Sequence, residues 1–340
     1  IKVDREERPD LDAIYQSALA LLGQPGGWPL TMFLTPDGRP FWGGTYFPPS
    51  PRYGRPGFLE VLDKLAEIYR DEPEKIAKNV AALREALENL ARPQTGSGVP
   101  VEVNTRTAER LLAEIDPEHG GIGGAPKFPH VPAFELLWRA WKRTGNRQLY
   151  DAVTLTLTRI SQGGIYDHLG GGYARYSTDA MWLAPHFEKM LYDNAQLITL
   201  LSLVWPETRE KLFADRVHET VGWVLREMRG VPGSGGHRGF ASSLDADSEH
   251  EEGKFYVWRE AEVDRLLDND AAVFKTIYDV TAEGNWEGHT ILNRIAHPAY
   301  GAPSEEAALA ANRAKLFAAR ESRVRPGWDD KVLADWNGLM

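Results

Sequence analysis

From residue 105 onward, stretches with the 3.6-residue rhythm of helices alternate with loops unusually rich in glycine, and this alternation limits the fold more than any other feature of the chain. The loops are Gly120-Gly121-Ile122-Gly123-Gly124-Ala125-Pro126, Gly163-Gly164-Ile165-Tyr166-Asp167-His168-Leu169-Gly170-Gly171-Gly172-Tyr173 and Gly233-Ser234-Gly235-Gly236. Helices are predicted over about 105–115, 131–144, 147–161, 186–203, 207–228, 259–268, 270–278 and 304–321. Their irregular spacing excludes a short-period solenoid. Helical hairpins of about 40–50 residues with long loops at one end fit an α/α toroid. Asp245-Ala246-Asp247-Ser248-Glu249 followed by Gly253–Trp258 reads as a β-hairpin inserted among the helices.

The first ninety residues follow another pattern. A strand is predicted over Ile1–Asp4, and Asp10 is a candidate cap for a helix from about Leu11 to Leu22. The turn-rich stretch Gly23–Pro29 leads into the apolar run Leu30–Leu34. Thr35-Pro36-Asp37-Gly38 then turns the chain into a second strand, Arg39 to Tyr46. Phe58, Val61, Leu62, Leu65 and Ile68 form one helical stripe, and Ile76, Val80, Leu83, Leu87 and Leu90 form another. A Pro-, Gly- and Ser-rich segment without periodicity, 93–104, reads as a linker between a domain over 1–92 and one over 105–340.

Forty-nine acidic against 39 basic residues give a net charge of −10. Nucleic acid and an anionic membrane surface are therefore poor partners, because both demand a basic surface. With no cysteine in the 340 residues, disulfides, thiolate metal sites and a cysteine nucleophile are excluded within them. No apolar run approaches the ~18–20 residues that span a bilayer. Both ends of the sequence look cut, in a strand at one end and at a helix start at the other.

No P-loop, Gly-x-Ser-x-Gly elbow or His-Glu-x-x-His occurs. Gly121-Ile122-Gly123 is followed by Pro126 where a dinucleotide fingerprint needs glycine, and His250 and Tyr256 exclude an EF-hand at Asp245. The densest chemical cluster is Trp182–Asn194. Pro185 suits a first helical turn, which would set His186 near a helix N-terminus, as a neutral base with Asp193 two turns further along the same face. On such a helix Glu188 points away from His186. The competing account is a packing histidine beside solvated Glu188 and Lys189.

Further candidates are His168, in a loop continuing to Tyr173, Arg175 and Tyr176, and the alternating acids Asp245, Asp247, Glu249 and Glu251, which would share one face of a strand. Arg325–Asn337 holds Asp329, Asp330 and Asp335 with Lys331 and two indoles. A carboxylate pair there could supply acid and base, although Asp330 beside Lys331 is equally a structural ion pair. Of the eleven tryptophans, Trp182, Trp286, Trp328 and Trp336 lie in loop motifs, as a sugar-stacking cleft requires.

Several of these segments together resemble a known family. Lys2–Asp10, Gly26-Gly27-Trp28-Pro29, Gly43–Pro49, Gly124–Pro129, Gly170–Gly172, Pro185–Asn194, Asp245–Glu249 and Asp329–Gly338 are similar to motifs of the spermatogenesis-associated protein 20 family. The resemblance implies an α/β thioredoxin-like N-terminal part, followed by a mainly α (α/α)6 toroid of the six-hairpin glycosidase type, both truncated. That toroid is similar to those of N-acylglucosamine and cellobiose 2-epimerases. It also implies a Cys-x-x-Cys-type motif upstream of Ile1 and a cis peptide at Trp28-Pro29.

The expectation for function is a carbohydrate-active toroid, a sugar epimerase or isomerase or else a glycoside hydrolase, fused to a thioredoxin-like module. The alternative is a thiol-redox or chaperone-like protein whose toroid only binds. Expected catalytic residues are His186, Asp193, Asp329 and Asp330. Expected substrate contacts are His168, Tyr176, Trp182, Glu188, Asp245, Asp247, Trp286 and Trp336. A saccharide or other polyhydroxyl molecule is the expected partner, with no cofactor or metal and a cytoplasmic setting.

Overall fold

The structure is a computed structural model and describes residues 1–52, 54–93, 96, 98, 100, 102–229 and 239–340. The chain forms two compact units, Ile1–Gly98 and Val99–Met340.

In the first unit, helix α1 (Pro9–Leu21) precedes the antiparallel hairpin of β1 (Thr31–Leu34) and β2 (Pro40–Gly44), and α2 (Phe58–Asp71) and α3 (Pro73–Ala91) follow. The two helical stripes do what their spacing predicts. Leu65 and Ile68 of α2 and Ile76 and Val80 of α3 pack with Phe33, Phe41 and Trp42 of the hairpin in one small core. Two expectations fail here. Ile1–Asp4 forms no strand; the Asp4 carbonyl instead accepts from Arg8 N at 2.9 Å in the turn that leads into α1. Asp10 does not cap α1 either. Pro9 takes the first helical position, Arg8 stands before it, and Asp10 instead receives the Arg8 guanidinium at 2.7–2.9 Å. Trp28-Pro29 is cis, as expected, and so is Ala125-Pro126. The Trp28 indole is exposed, donates to Asp12 Oδ1 at 2.8 Å and carries the Arg5 guanidinium 3.9 Å above its ring.

The second unit is mainly helical. Helices α4 (Glu102–Ala113), α5 (Val131–Thr144) and α6 (Arg147–Gln162) come first, and Asn146 caps α6 by accepting from Gln148 N. Three two-residue strands follow: β3 (Tyr176–Ser177), β4 (Pro185–His186) and β5 (Lys189–Met190). Next are α7 (Leu191–Thr208), α8 (Lys211–Trp223), which runs on as a π-turn over Val224–Met228, and the strands β6 (Ser243–Leu244), β7 (Asp247–Ser248) and β8 (Glu251–Glu252). The remaining elements are α9 (Glu260–Leu267), α10 (Ala271–Ile277), α11 (Pro303–Arg320), β9 (Trp328–Asp329) and α12 (Ala334–Leu339). Facing apolar stripes of α5 to α8, among them Phe134, Leu137, Val153, Leu157, Leu197 and Phe213, make the largest core.

Three boundaries differ from the periodicity. The helix predicted from 186 begins only at Leu191, because β4 pairs with β3 and β5 pairs with β6, so ladder hydrogen bonds claim those residues first. The helix predicted over 207–228 is split near Arg209, whose φ of 55° ends α7. The inserted hairpin pairs Asp247 with Glu252 around a turn at Glu249-His250, rather than using Gly253–Trp258 as its second strand. The Gly233–Gly236 loop and residues 94, 95, 97, 99 and 101 of the linker lie outside the described residues.

One buried ionic cluster ties the long glycine loop down. Asp167 accepts Lys189 Nζ at 2.8 Å, both terminal nitrogens of Arg320 at 2.8 and 2.9 Å, and the backbone N–H groups of Leu169 and Gly170 at 3.1 and 3.0 Å. The loop is thereby fastened to β5 and to the end of α11. Gly171 holds a φ of +79°, and a Cβ there would collide with the Glu219 carbonyl, so the close approach requires glycine.

Candidate active site

The β3–β4 pair places Tyr176 directly opposite His186. Their rings stack with centroids 5.0 Å apart, and Tyr176 stacks on its other side against the exposed Phe128 at 4.7 Å. His130 lies 5.9 Å beyond Phe128, so four aromatic rings form a ladder. Cross-strand pairing, not helical periodicity, assembles it.

Charged groups flank the His186 end of the ladder. Glu252, from β8, approaches His186 Nδ1 with Oε1 at 2.7 Å, while Glu188 Oε2 lies 3.7 Å from Nε2. Arg175 Nη1 donates to that same Glu188 oxygen at 2.8 Å. A Nδ1–H donated to Glu252 leaves Nε2 as the basic nitrogen. His186 is therefore oriented by Glu252, not by Asp193 as its expected place on a helix implied.

Asp193 lies in the first turn of α7 and is half-buried as a residue, but its Oδ2 is shielded from solvent and lacks a hydrogen-bond partner among the described residues. Burial pushes its carboxyl up to about 7. Arg175 pulls in the other direction, and the like charge of Glu188 pushes upward again. One carboxyl poised to hold a proton near neutrality thus sits beside a salt-bridged one. That is the arrangement by which two carboxylates take separate acid and base roles.

The remaining expected residues are placed as follows. Trp336, on α12, is nearly buried and meets Tyr192 edge-on at 4.8 Å, one residue before Asp193. Asp329 sits on β9, two strands away from Met190 in the β5–β6–β9 sheet, and pairs with Lys331 at 2.7 Å. Asp330 is exposed, and no hydrogen bond or ion pair among the described residues joins either aspartate to His186. Asp245 and Asp247 are exposed and alternate with buried Leu244, Ala246 and Ser248, so they do share a face. Trp286 is half-buried and packs edge-on against Phe187 at 5.4 Å.

Two further expected ligand contacts are, like Trp336, core residues instead. Trp182 is fully buried, donates its indole N–H to the His119 carbonyl at 2.9 Å and offers no free face for stacking. His168 is buried, with Nε2 at 3.0 Å from the Gly163 carbonyl and Nδ1 at 3.4 Å from an Arg216 nitrogen. Burial, followed by the Arg216 charge, drives its pKa well below the ordinary histidine value, so it stays neutral. A two-residue glycine-rich setting and a loop position are compatible with either burial or exposure, which is why these two misled.

Sequence reasoning missed Glu252 and did not assign Arg175 or Phe128 to the site. For Glu252 a signal existed. A turn at Glu249-His250 makes Asp247 face Glu252, so the acidic face continues into Glu252 and not into Glu251. Among the described residues no group of three or more His, Asp or Glu side chains is arranged to hold a metal ion, and no helix is long and apolar enough to cross a membrane.

Residues 1–88 match the family model Thioredox_DsbH, described as a protein of unknown function, DUF255. Spermatogenesis-associated protein 20 of Homo sapiens is 35% identical over 384 aligned residues, which take in 100% of this chain and 48% of the human protein. The Mus musculus counterpart is 34% identical over the same shares, and the uncharacterized protein B0495.5 of Caenorhabditis elegans is 32% identical, covering 100% of this chain and 51% of its own. The chain thus spans about half the length of the curated relatives it matches.

Two solved structures are similar at a distance. Cellobiose 2-epimerase from Spirochaeta thermophila DSM 6192 has a TM-score of 0.34 at 21% identity, over 42% of this chain and 39% of its own. An unsaturated glucuronyl hydrolase specific for heparin has a TM-score of 0.38 at 11% identity, over 99% of this chain and 96% of its own. Neither carries its activity over to this chain. The similarity that does hold along the whole sequence is to the curated relatives: the chain is a homologue of the spermatogenesis-associated protein 20 proteins, with a thioredoxin-like first unit and a mainly α second unit.

Proposed function

We propose that the second unit binds a saccharide at the Tyr176–His186 ladder and acts on it by acid–base chemistry, as an epimerase or isomerase or as a glycoside hydrolase. The observation that carries this is the Asp193 carboxyl, without a hydrogen-bond partner and pushed up to about 7 beside the salt-bridged Glu188. In this proposal Asp193 delivers a proton, His186 accepts one through Nε2, and Glu252 fixes the imidazole. The exposed Phe128 at the end of the ladder supplies a flat face for a sugar ring. Asp329 is kept as a candidate for a second acid or base near the start of α7. Proton transfer by a well-placed group contributes roughly 10²–10⁴-fold to a rate.

The test is proton NMR of the purified protein with a panel of mono- and disaccharides in deuterated water. Deuterium appearing at C2 marks an isomerase and new reducing ends mark a hydrolase, and Asp193→Asn and His186→Asn should each cut the rate at least about a hundredfold. No exchange and no hydrolysis across the panel would sink the proposal. A second possibility is favoured by the match of residues 1–88 to Thioredox_DsbH: thiol-redox work by the whole protein, with the helical unit as a binding scaffold. Insulin reduction that depends on cysteines outside these 340 residues, together with a negative saccharide panel, would favour it.

A further inference from the structure

We propose that the cavity lined by the buried ionic cluster of Asp167, Lys189 and Arg320 is a site for one small monovalent anion of the halide class. The cavity has a volume of about 30 Å³, and Tyr256 and the apolar side chains of Ile165, Phe187 and Ile291 complete its walls. That is room for a water or two or for a single halide, and far less than a sugar ring needs. None of Phe128, Tyr176 and His186 lines it, so the inference does not depend on the saccharide proposal above. Lys189 Nζ and the Arg320 guanidinium lie 5.0 and 5.4 Å from the centre of the Tyr256 ring, which brings both cations and the phenol together.

Hydrogen bonding in this cluster leaves donors over and no ionised acceptor to take them. Arg320 is only 2% exposed and gives both terminal nitrogens to Asp167, while its Nε is shielded from solvent and has no partner among the described residues. Tyr256 Oη is likewise shielded and without a partner among them. Lys189 uses two of its three N–H groups, on Asp167 and on the Gly171 carbonyl, both at 2.8 Å. Asp167 is saturated, because its oxygens already accept from Lys189, Arg320 and two backbone N–H groups. Buried donors without acceptors are costly. The charges point the same way. Two cations face one aspartate, and Glu227, the other acid whose charge reaches them, is held by Arg226 at 2.6 Å and Arg325 at 3.3 Å. A water would satisfy donors but not the surplus positive charge, whereas an anion answers both. Apolar walls suit a large, weakly hydrated ion such as chloride or bromide.

The test is urea unfolding of the protein at neutral pH and fixed sodium concentration, with chloride exchanged stepwise for gluconate, which is too large for the cavity. The midpoint should climb with the logarithm of chloride concentration once the site begins to fill, and bromide should act alike. Crystals soaked in bromide should show its anomalous signal inside the cavity. Tyr256→Phe keeps the ring and removes one donor, so chloride should bind at least about tenfold more weakly while stability in gluconate stays close to the parent's. Asp167→Asn leaves Lys189 and Arg320 without a counter-charge in gluconate, and part of its lost stability should return as chloride is added. Equal midpoints in chloride and gluconate, or a bromide-soaked crystal with no anomalous signal at the cavity, would mean that the cavity holds water only and would overturn the proposal. A chloride effect that Tyr256→Phe leaves unchanged places the ion elsewhere and overturns it as well.

Discussion

Asp167 and Asp193 belong to the same helical unit, and each has a guanidinium close by, yet their carboxyls move in opposite directions. Burial acts to raise both. At Asp167 the charges of Arg320 and Lys189, with hydrogen bonds from each, outweigh it and hold the group well below the usual carboxylate range. At Asp193 burial prevails, because the nearby Arg175 already donates to Glu188, and Glu188 adds a like charge of its own. Proximity of a cation is therefore a poor guide to the state of a carboxylate. What decides is whether the cation's donors are still available. Asp167 is a structural clip and Asp193 is a group with a proton to give, and the difference lies in their partners' partners.

The comparison breaks most forcibly at the clip. Asp167→Asn would leave Lys189 and Arg320 buried with no counter-charge, and chemical denaturation should show a loss of about 3–5 kcal/mol. A loss under about 1 kcal/mol would mean that the glycine loop is held by its backbone contacts alone. Asp193→Asn tests the other member. Its carboxyl is raised in the folded state, so the contribution it makes to stability is fully present below the ordinary value of 3.8 and is lost as pH climbs toward about 7. The asparagine variant lacks that loss. Urea unfolding at pH 5 and pH 8 should find the variant more stable than the parent at the higher pH by about 2–4 kcal/mol, and much closer to it at the lower. Parallel pH profiles for the two proteins would contradict the assignment.

How far these features were legible follows from which interactions set them. Helix stripes such as Ile76, Val80 and Leu83, or Phe134 and Leu137, announce themselves because burial of one helical face is a local property of spacing. The turn at Thr35–Gly38 was equally plain, since its residues dictate their own backbone. His186 was misplaced because two-residue strands carry no periodicity. Only the pairing of Tyr176 with His186 and of Met190 with Ser243 keeps that segment out of α7. His186, Glu188 and Asp193 stood out as a dense polar cluster, but their geometry depends on Arg175 and Glu252, and Glu252 is 66 residues from His186 along the chain. Trp182 and Trp336 show the converse. An indole in a loop motif suggests a platform, while tertiary packing puts both inside.

The smallest effect bears most directly on why the two aspartates differ. Glu188→Gln removes the like charge beside Asp193 and releases the Arg175 nitrogen that Glu188 engages at 2.8 Å. With that nitrogen released, Arg175 can act toward Asp193 as Arg320 does toward Asp167. Carbon-13 titration of the Asp193 carboxyl should then show its midpoint falling from about 7 by at least about one pH unit, about 1.4 kcal/mol of changed interaction. The acid limb of any pH–rate profile assigned to Asp193 should fall with it. A midpoint that stays at its original value would mean that burial alone sets Asp193 and that Arg175 and Glu188 are bystanders. A midpoint that falls would show that Glu188, by its like charge together with its hold on Arg175, keeps Asp193 protonated where Asp167 is ionised.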